Sequence, residues 1–315
     1  MPEQDTAESA LPLRAQGLSR SYGTLAAVDR LDLELRCGEV LGLLGPNGAG
    51  KTTTMQMLTG NLAPSVGSIS ICGIDLLKEP KAAKARLGYL PETPPLYPEF
   101  TVDEYLTLAA RLHRVAKGDL AAAVEKAKAR CGLSQVSKRL IGALSKGYQQ
   151  RVGIAQAIVH NPEVIVLDEP TVGLDPNQIR EIRALIRELG REKSVLLSTH
   201  ILPEVESVCD RVQILHHGRM VYSDAIHALK QFRGGDGLLV GLRQPPQESE
   251  IAAIPGITGI QRVSDTMFRL YHDPDTDPTE AIVKSATGGW GLYQISPAQT
   301  SLEEVFVQLT QHEET

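Results

Sequence analysis

Two short runs, Val164-Ile165-Val166-Leu167 and Val195-Leu196-Leu197-Ser198, carry apolar or small side chains at every position. A strand with one wet face alternates, so unbroken runs predict strands covered on both faces, as in a parallel sheet flanked by helices. Between them Ile179, Ile182, Leu185, Ile186 and Leu189 recur at helical spacing, which makes the section a strand-helix-strand unit. Short apolar runs alternate with helical patterns from Leu13 to about Lys230. That alternation predicts an α/β domain with a buried sheet over residues 13–233. From Phe100 to Arg139 the pattern is helical throughout, with Thr101 and Glu104 spaced as a capping box ahead of a Leu- and Ala-rich stretch. A helical subdomain inserted at about residues 93–150 is expected.

Gly234-Gly235-Asp236-Gly237 and then Gln244-Pro245-Pro246 interrupt the alternation, and a second, small α+β domain is expected over residues 234–315. Its predicted strands are Leu238–Leu242, Ile257–Val263 and Met267–Tyr271. Its predicted helices are Thr279–Ser285 and Ser301–Thr310, the latter with Leu302, Val305, Phe306 and Leu309 on one face. Trp290, flanked by glycines, reads as a packed turn aromatic. Residues 1–12 read as a disordered leader.

Composition narrows the class. With 42% hydrophobic residues in 315 and a mean hydropathy of −0.12, the chain has the profile of a globular protein with ample core. No apolar run approaches the roughly 20 residues of a membrane-spanning helix. The first residues, Met1-Pro2-Glu3-Gln4-Asp5, are acidic where a signal peptide is basic, so neither membrane insertion nor export is expected. Four cysteines (Cys37, Cys72, Cys131, Cys209) lie far apart and read as reduced, mostly packed thiols. The net charge of −6 excludes a general nucleic-acid binder, which needs a basic face. The clustered cations Lys78, Lys81, Lys84 and Arg86 are spaced like one solvated helix face.

The chemistry begins after the run Val40–Leu44, where residues Gly45 to Thr52 read Gly-Pro-Asn-Gly-Ala-Gly-Lys-Thr. This is a complete G-x-x-x-x-G-K-[ST] phosphate loop, strand before it and helix-forming sequence after it. The loop of Gly45, Pro46, Asn47, Gly48, Ala49 and Gly50 turns its backbone N–H groups, which all but Pro46 possess, around phosphate oxygens. Lys51 supplies positive charge, the Thr52 hydroxyl reaches Mg²⁺, and Thr53 continues the helix N-terminus. A nucleoside triphosphate is the expected ligand. Hydrolysis also needs a carboxylate for the metal shell and one for water, and Val164–Leu167 deliver both at the strand end: Asp168 for Mg²⁺ and Glu169 for water.

Leu144-Ser145-Lys146-Gly147-Tyr148-Gln149-Gln150-Arg151, just before the acidic strand, resembles the signature sequence of the ATPase subunits of ATP-binding cassette (ABC) transporters. Tyr22, Gly173-Leu174-Asp175 and Ser198-Thr199-His200 follow that family's order, and the resemblance covers about Leu13 to Lys230. It implies ATP and Mg²⁺ as cofactors, with Tyr22 stacking on adenine and His200 contacting the terminal phosphate. It also implies head-to-tail pairing of two copies. Ser145 and Gly147 of one copy, within the Ser145–Tyr148 segment, then close over ATP held by Lys51 of the other, and Asp175 crosses the interface. Two positions depart from the commonest pattern. Glu92 stands where many members have glutamine, which leaves its metal role open, and Lys146 and Tyr148 replace the usual glycine and glutamine.

Both departures, and the Ser301–Phe306 segment, resemble the branch serving six-helix permeases for drug, sodium and polysaccharide export, a branch that also includes gliding-motility and copper-processing subunits. The implied function is an ATP-hydrolysing motor subunit, peripheral on the cytoplasmic face of the membrane. Its implied partner is a separately encoded permease docked around Glu92 to Phe100. The alternatives are a soluble cassette protein of DNA repair or translation, whose relatives carry two cassettes or a long coiled coil, and a regulatory binder without turnover, against which Glu169 and His200 argue.

Overall fold

The computed structural model describes residues 11–232, 237–273, 276–286 and 288–298. The chain divides into two compact units, Met1–Asp224 and Ala225–Thr315. The first is organised by a six-stranded sheet in the order β10-β9-β3-β8-β7-β6. Its strands are β3 (Val40–Leu44), β6 (Leu87–Leu90), β7 (Val164–Asp168), β8 (Ser194–Thr199), β9 (Arg211–His216) and β10 (Arg219–Ala225). Every residue of β3, β7 and β8 is buried, as their unbroken apolar runs require. A fully buried Val, Leu or Ile contributes about 1.5–3 kcal/mol, so these strands carry much of the unit's burial energy.

Strands β6, β7, β8, β3 and β9 pair in parallel. Register brings Leu44 opposite Thr199 and Asp168 opposite Ser198. The loops that leave β3, β7 and β8 therefore emerge side by side at one edge, where open α/β sheets bind ligands. Helices α1 (Lys51–Leu58), α6 (Pro176–Gly190) and α7 (Leu202–Val208) follow those strands, and Ile182, Leu185, Ile186 and Leu189 of α6 are buried. An antiparallel sheet, β2-β1-β4-β5, forms a second layer. It comprises β1 (Leu13–Tyr22), β2 (Leu25–Leu35), β4 (Val66–Ile71) and β5 (Ile74–Asp75), with Leu13, Ala15, Leu18, Leu31, Leu33, Ile69 and Ile71 in the core it shares with β3 and α1.

The helical stretch resolves into α3 (Val102–Leu112), α4 (Leu120–Arg130) and α5 (Lys146–Ile158). The capping box closes as expected: Thr101 N donates to Glu104 Oε2 at 2.8 Å, and Glu104 N to Thr101 Oγ1 at 3.3 Å. Gly88 fixes α5 against the sheet, because a Cβ there would overlap the Ala157 carbonyl oxygen.

Two sequence expectations change. The four clustered cations do not share a helix face, since α2 spans only Pro80–Ala85. Lys78 pairs with Asp75, Lys84 donates to the Gly60 carbonyl at 3.0 Å, and Arg86 pairs with Glu163. Three of the four thus have local anionic or carbonyl partners, which spacing alone does not show. The thiols are half packed: Cys131 and Cys209 are buried, Cys37 and Cys72 exposed in turns.

In the second unit, β11 (Gly237–Leu242), β12 (Ile257–Arg262), β13 (Met267–His272) and β14 (Leu292–Ala298) form an antiparallel sheet in the order β12-β13-β11-β14. Phe268 is 1% exposed, in a core with Val240, Leu242, Leu270 and Ile282 of helix α10 (Thr279–Ala286). Trp290 sits in a turn against that core. Helices α8 (Ile226–Phe232) and α9 (Glu248–Ala252) and strand β14 were not anticipated. The predicted helix Ser301–Thr310 and residues 1–10 of the leader lie outside the described residues.

Candidate active site

A cavity of about 440 Å³ opens at the sheet edge where the β3, β7 and β8 loops meet. Asn47, Gly48, Gly50, Lys51, Thr52 and Thr53 line one side, and Glu92, Glu169, Val172 and His200 the other. The loop holds its shape through glycine. Gly50 has φ +104°, and a Cβ there would stand 2.5 Å from the Ala27 carbonyl oxygen. One at Gly45 would stand 2.5 Å from the Leu215 carbonyl oxygen. Ala49 N donates back to Pro46 O at 3.2 Å, and the Ala49 carbonyl accepts from Gly218 N at 2.9 Å. No side chain caps the N-terminus of α1, and its first turn holds no acidic residue. Its leading N–H groups and positive dipole end face the cavity, an arrangement suited to phosphate.

Lys51 is 6% exposed. Its Nζ donates to Gly45 O at 2.8 Å and Pro46 O at 3.2 Å, and stands 3.5 Å from Glu169 Oε1. The charge is therefore held at the loop mouth.

Asp168, 1% exposed, accepts from Ser198 Oγ at 2.5 Å through Oδ1. Its Oδ2 has no partner. Burial pushes its carboxyl above the ordinary Asp range; Glu169 and Glu92 add to this, while the Ser198 hydrogen bond and Lys51 oppose it. A buried carboxylate with one bare oxygen, beside a phosphate loop, fits a divalent cation. Among the described residues no cluster of three His, Cys, Asp or Glu could hold a metal alone. A Mg²⁺ ligated chiefly by nucleotide oxygens, one hydroxyl and one carboxylate needs none.

Glu169 leaves β7 in the left-handed region, φ +47°. For a non-glycine residue this costs about 1–3 kcal/mol and needs compensation. Its N–H supplies part of that by donating to Ser198 O at 3.2 Å and Ser198 Oγ at 3.1 Å. The twist aims the carboxylate back over the cavity, where His200 Nδ1 lies 3.0 Å from Oε2. Acid and imidazole thus come from adjacent strands, β7 and β8.

The remaining expected residues fall in two places. Tyr22 ends β1 opposite Leu25. Leu25, Ala26 and Ala27 line the cavity, but Tyr22 does not; it is 48% exposed, with the Arg20 guanidinium 5.0 Å from its ring centroid. Ser145, Lys146, Gly147 and Tyr148 are also outside this cavity. Ser145 caps α5, its Oγ accepting from Tyr148 N at 3.5 Å, and Gly147 stands so close to Gln178 that a Cβ would meet its Cδ at 2.6 Å. Asp175 caps α6, accepting from Asn177 N at 2.9 Å and Gln178 N at 3.0 Å. The signature and the Asp175 loop therefore form one surface of the chain, separate from the Lys51 cavity.

The sequence reading missed two participants. His217, which belongs to none of the motifs, lines the cavity from the turn after β9, and Ser198 bridges Asp168 and the Glu169 backbone. Ser198 stood in the Ser198-Thr199-His200 segment, but nothing local gave it a role of its own.

A strand-loop-helix phosphate cradle with an acidic pair on a neighbouring strand defines a phosphate-loop nucleoside triphosphatase. A sequence model of the family described as "ABC transporter" matches residues 28–172. The chain is 35% identical over 312 residues, 97% of this chain and 99% of the relative, to "Nod factor export ATP-binding protein I" of Burkholderia orbicola. It is 38% identical over 221 residues to "Bacitracin transport ATP-binding protein BcrA" of Bacillus licheniformis, covering 70% of this chain and 71% of that one. A solved "ATP binding subunit of ABC transporter" superposes with a TM-score of 0.64 at 32% identity, covering 70% of this chain and 93% of that one. The chain belongs to the ABC transporter family and is an ATP-binding protein and ATPase of it.

Proposed function

We propose that the chain is the motor subunit of an ABC exporter. Two copies pair head to tail around two ATP molecules and drive a separately encoded membrane permease from its cytoplasmic face. The observation that carries the reading is the placement of Glu169, 3.0 Å from His200 and 3.5 Å from Lys51, in a cavity that the chain's own signature does not reach. Lys51 and the α1 N-terminus bind the phosphates. Thr52 and Asp168 hold Mg²⁺, which supplies charge neutralisation on the transferred phosphoryl group. Glu92, beside Asp168, adds negative charge at that shell. Glu169 accepts a proton from the attacking water, and His200, fixed by Glu169, contacts the terminal phosphate.

The second copy completes the site. Ser145 and Gly147 at the start of α5 present a hydroxyl and backbone N–H groups, and Asp175 lies on the same surface, so both reach a neighbour's ATP together. The export direction and the permease partner are supported by the names of the relatives. No helix among the described residues is long and apolar enough to cross a membrane, which is compatible with a permease in a separate chain. The docking face is the turn-rich segment Glu92 to Phe100. There Tyr97, 48% exposed, leans on Phe100 and Tyr105 at centroid distances of 5.4 and 6.0 Å.

Glu169→Gln tests the core of this reading. The variant is expected to lose Mg²⁺-dependent hydrolysis by at least a hundredfold and to sediment as a dimer with ATP. A variant that hydrolyses at the parental rate, or stays monomeric with ATP, overturns it. Co-purification with a polytopic membrane protein separates the exporter from a soluble cassette ATPase.

A further inference from the structure

Glu204, the third residue of α7, is 3% exposed, yet it is neither in the cavity nor in any motif discussed above. Its Oε1 accepts from Thr171 Oγ1 at 2.6 Å, and its Oε2 from Thr199 Oγ1 at 2.8 Å. Arg183 of α6 approaches Oε1 at 3.4 Å. Both threonines are buried, at 4% and 0% exposure. Thr171 lies two residues beyond Glu169, and Thr199 directly precedes His200. One carboxylate thus clamps the loop leaving β7 to the loop leaving β8, at the point where their catalytic side chains must meet.

A buried carboxylate is costly unless fully hydrogen-bonded. Thr171 and Thr199 supply hydrogen bonds and Arg183 a positive charge, from three separate elements. The helix carrying Glu204 is itself pinned to the sheet, since a Cβ on Gly42 of β3 would lie 2.9 Å from Val205 Cγ1. Glu204 therefore refers both loops to the rigid sheet. The strained backbone at Glu169, φ +47°, needs such a restraint from its surroundings.

We infer that Glu204 is the positioning residue of ATP hydrolysis: its carboxylate, bonded to Thr171 and Thr199, holds Glu169 and His200 in register across two loops. The inference rests on the catalytic reading of Glu169 given above. Glu204 touches neither nucleotide nor water, so its removal acts on turnover rather than on binding.

The test uses the full chain with Mg²⁺ and ATP, comparing Thr171→Val, Thr199→Val, Glu204→Gln and the combination Thr171→Val with Glu204→Gln. The valines keep the threonine shape; Thr171→Val deletes the bond to Glu204 alone, Thr199→Val also the one accepted from Ile201 N at 3.1 Å, and both guard against a Glu204 variant that fails to fold. Each single change is expected to lower kcat about ten- to a hundredfold, the scale of a catalytic group displaced by an ångström, with KM within about threefold of the parent. The combination is expected to be no slower than Glu204→Gln alone, because both break one link. The His200 ring signals in long-range ¹H–¹⁵N NMR spectra are expected to move in every variant.

Unchanged kcat, a KM rise matching the kcat loss, independent multiplicative effects or unmoved His200 signals would each overturn the inference. Glu169→Gln, assayed alongside, separates the two failures. If it hydrolyses ATP normally, the catalytic reading falls; if it is inactive while the Glu204 set is fast, only the positioning inference falls.

Discussion

Asp168→Asn should make the protein more stable and less able to use its metal. In the parent a carboxylate sits at 1% exposure with Oδ2 unpartnered, near Glu169 and Glu92, which both disfavour its charge. The amide keeps an oxygen for Ser198 and removes the charge. An unsatisfied buried polar group costs about 1–3 kcal/mol and more when it is charged; the amide nitrogen that replaces Oδ2 is itself unpartnered, so the gain comes from removing the charge alone. The nucleotide-free variant should therefore melt higher near neutral pH, by about 2–4 °C for each kcal/mol regained in a unit of this size. The sign with pH follows from the raised carboxyl. The folded protein keeps its proton to higher pH than the unfolded chain, whose Asp titrates near about 3.9. The contribution is therefore full below that pH and is lost as pH rises through the folded value, and the variant should lack this slope. With ligand the parent gains more. Mg²⁺ and ATP at a hundred times Kd add about 2.7 kcal/mol to the parent, while the variant should gain no more from Mg²⁺ and ATP than from ATP with EDTA. Thermal melts across pH, with and without Mg²⁺, measure all three. A variant that melts at or below the parent without ligand, or keeps the Mg²⁺ increment, refutes the assignment of Oδ2 to the metal.

Gly50→Ala combines a φ of +104° with a Cβ 2.5 Å from the Ala27 carbonyl oxygen. It should cost about 1–3 kcal/mol and weaken binding of a fluorescent ATP analogue at least tenfold in titrations; parental affinity would refute the rigid-loop argument. His160 Nε2 lies 3.1 Å from the Leu87 carbonyl oxygen and its ring stacks on His113 with centroids 3.7 Å apart. Burial, with His113 second, pushes its imidazole down to about 4. Its neutral form is thus favoured, and stability is full above about pH 6.5 and falls by up to roughly 3 kcal/mol as pH drops toward 4. In His160→Gln, denaturant melts at pH 7 and pH 5 should differ less than in the parent.

Much of the fold was legible because its signals are local. Unbroken apolar runs declared β7 and β8 as covered on both faces, and the spacing from Ile179 to Leu189 declared α6. The antiparallel sheet of β1, β2, β4 and β5 was less visible, since periodicity reports which face of a strand is wet and not which strand lies beside it. Lys84 and Arg86 looked like a solvated face until Gly60 and Glu163 were seen beside them, partners 24 and 77 residues away.

The phosphate loop and the Asp168-Glu169 pair could be assigned from the chain alone, because their chemistry depends on consecutive residues: glycines that let backbone N–H groups converge, and carboxylates delivered by one strand end. Sheet order decided the rest. Placing β8 between β3 and β7 brings Ser198 to Asp168, His200 to Glu169 and Glu204 to both loops, and it leaves Ser145 and Gly147 away from their own Lys51. Except for Glu204 with Thr199, five positions apart, those contacts join residues about thirty positions apart through strand pairing that no local pattern encodes. Packing alone set a readable motif beside residues that no local pattern joins to it.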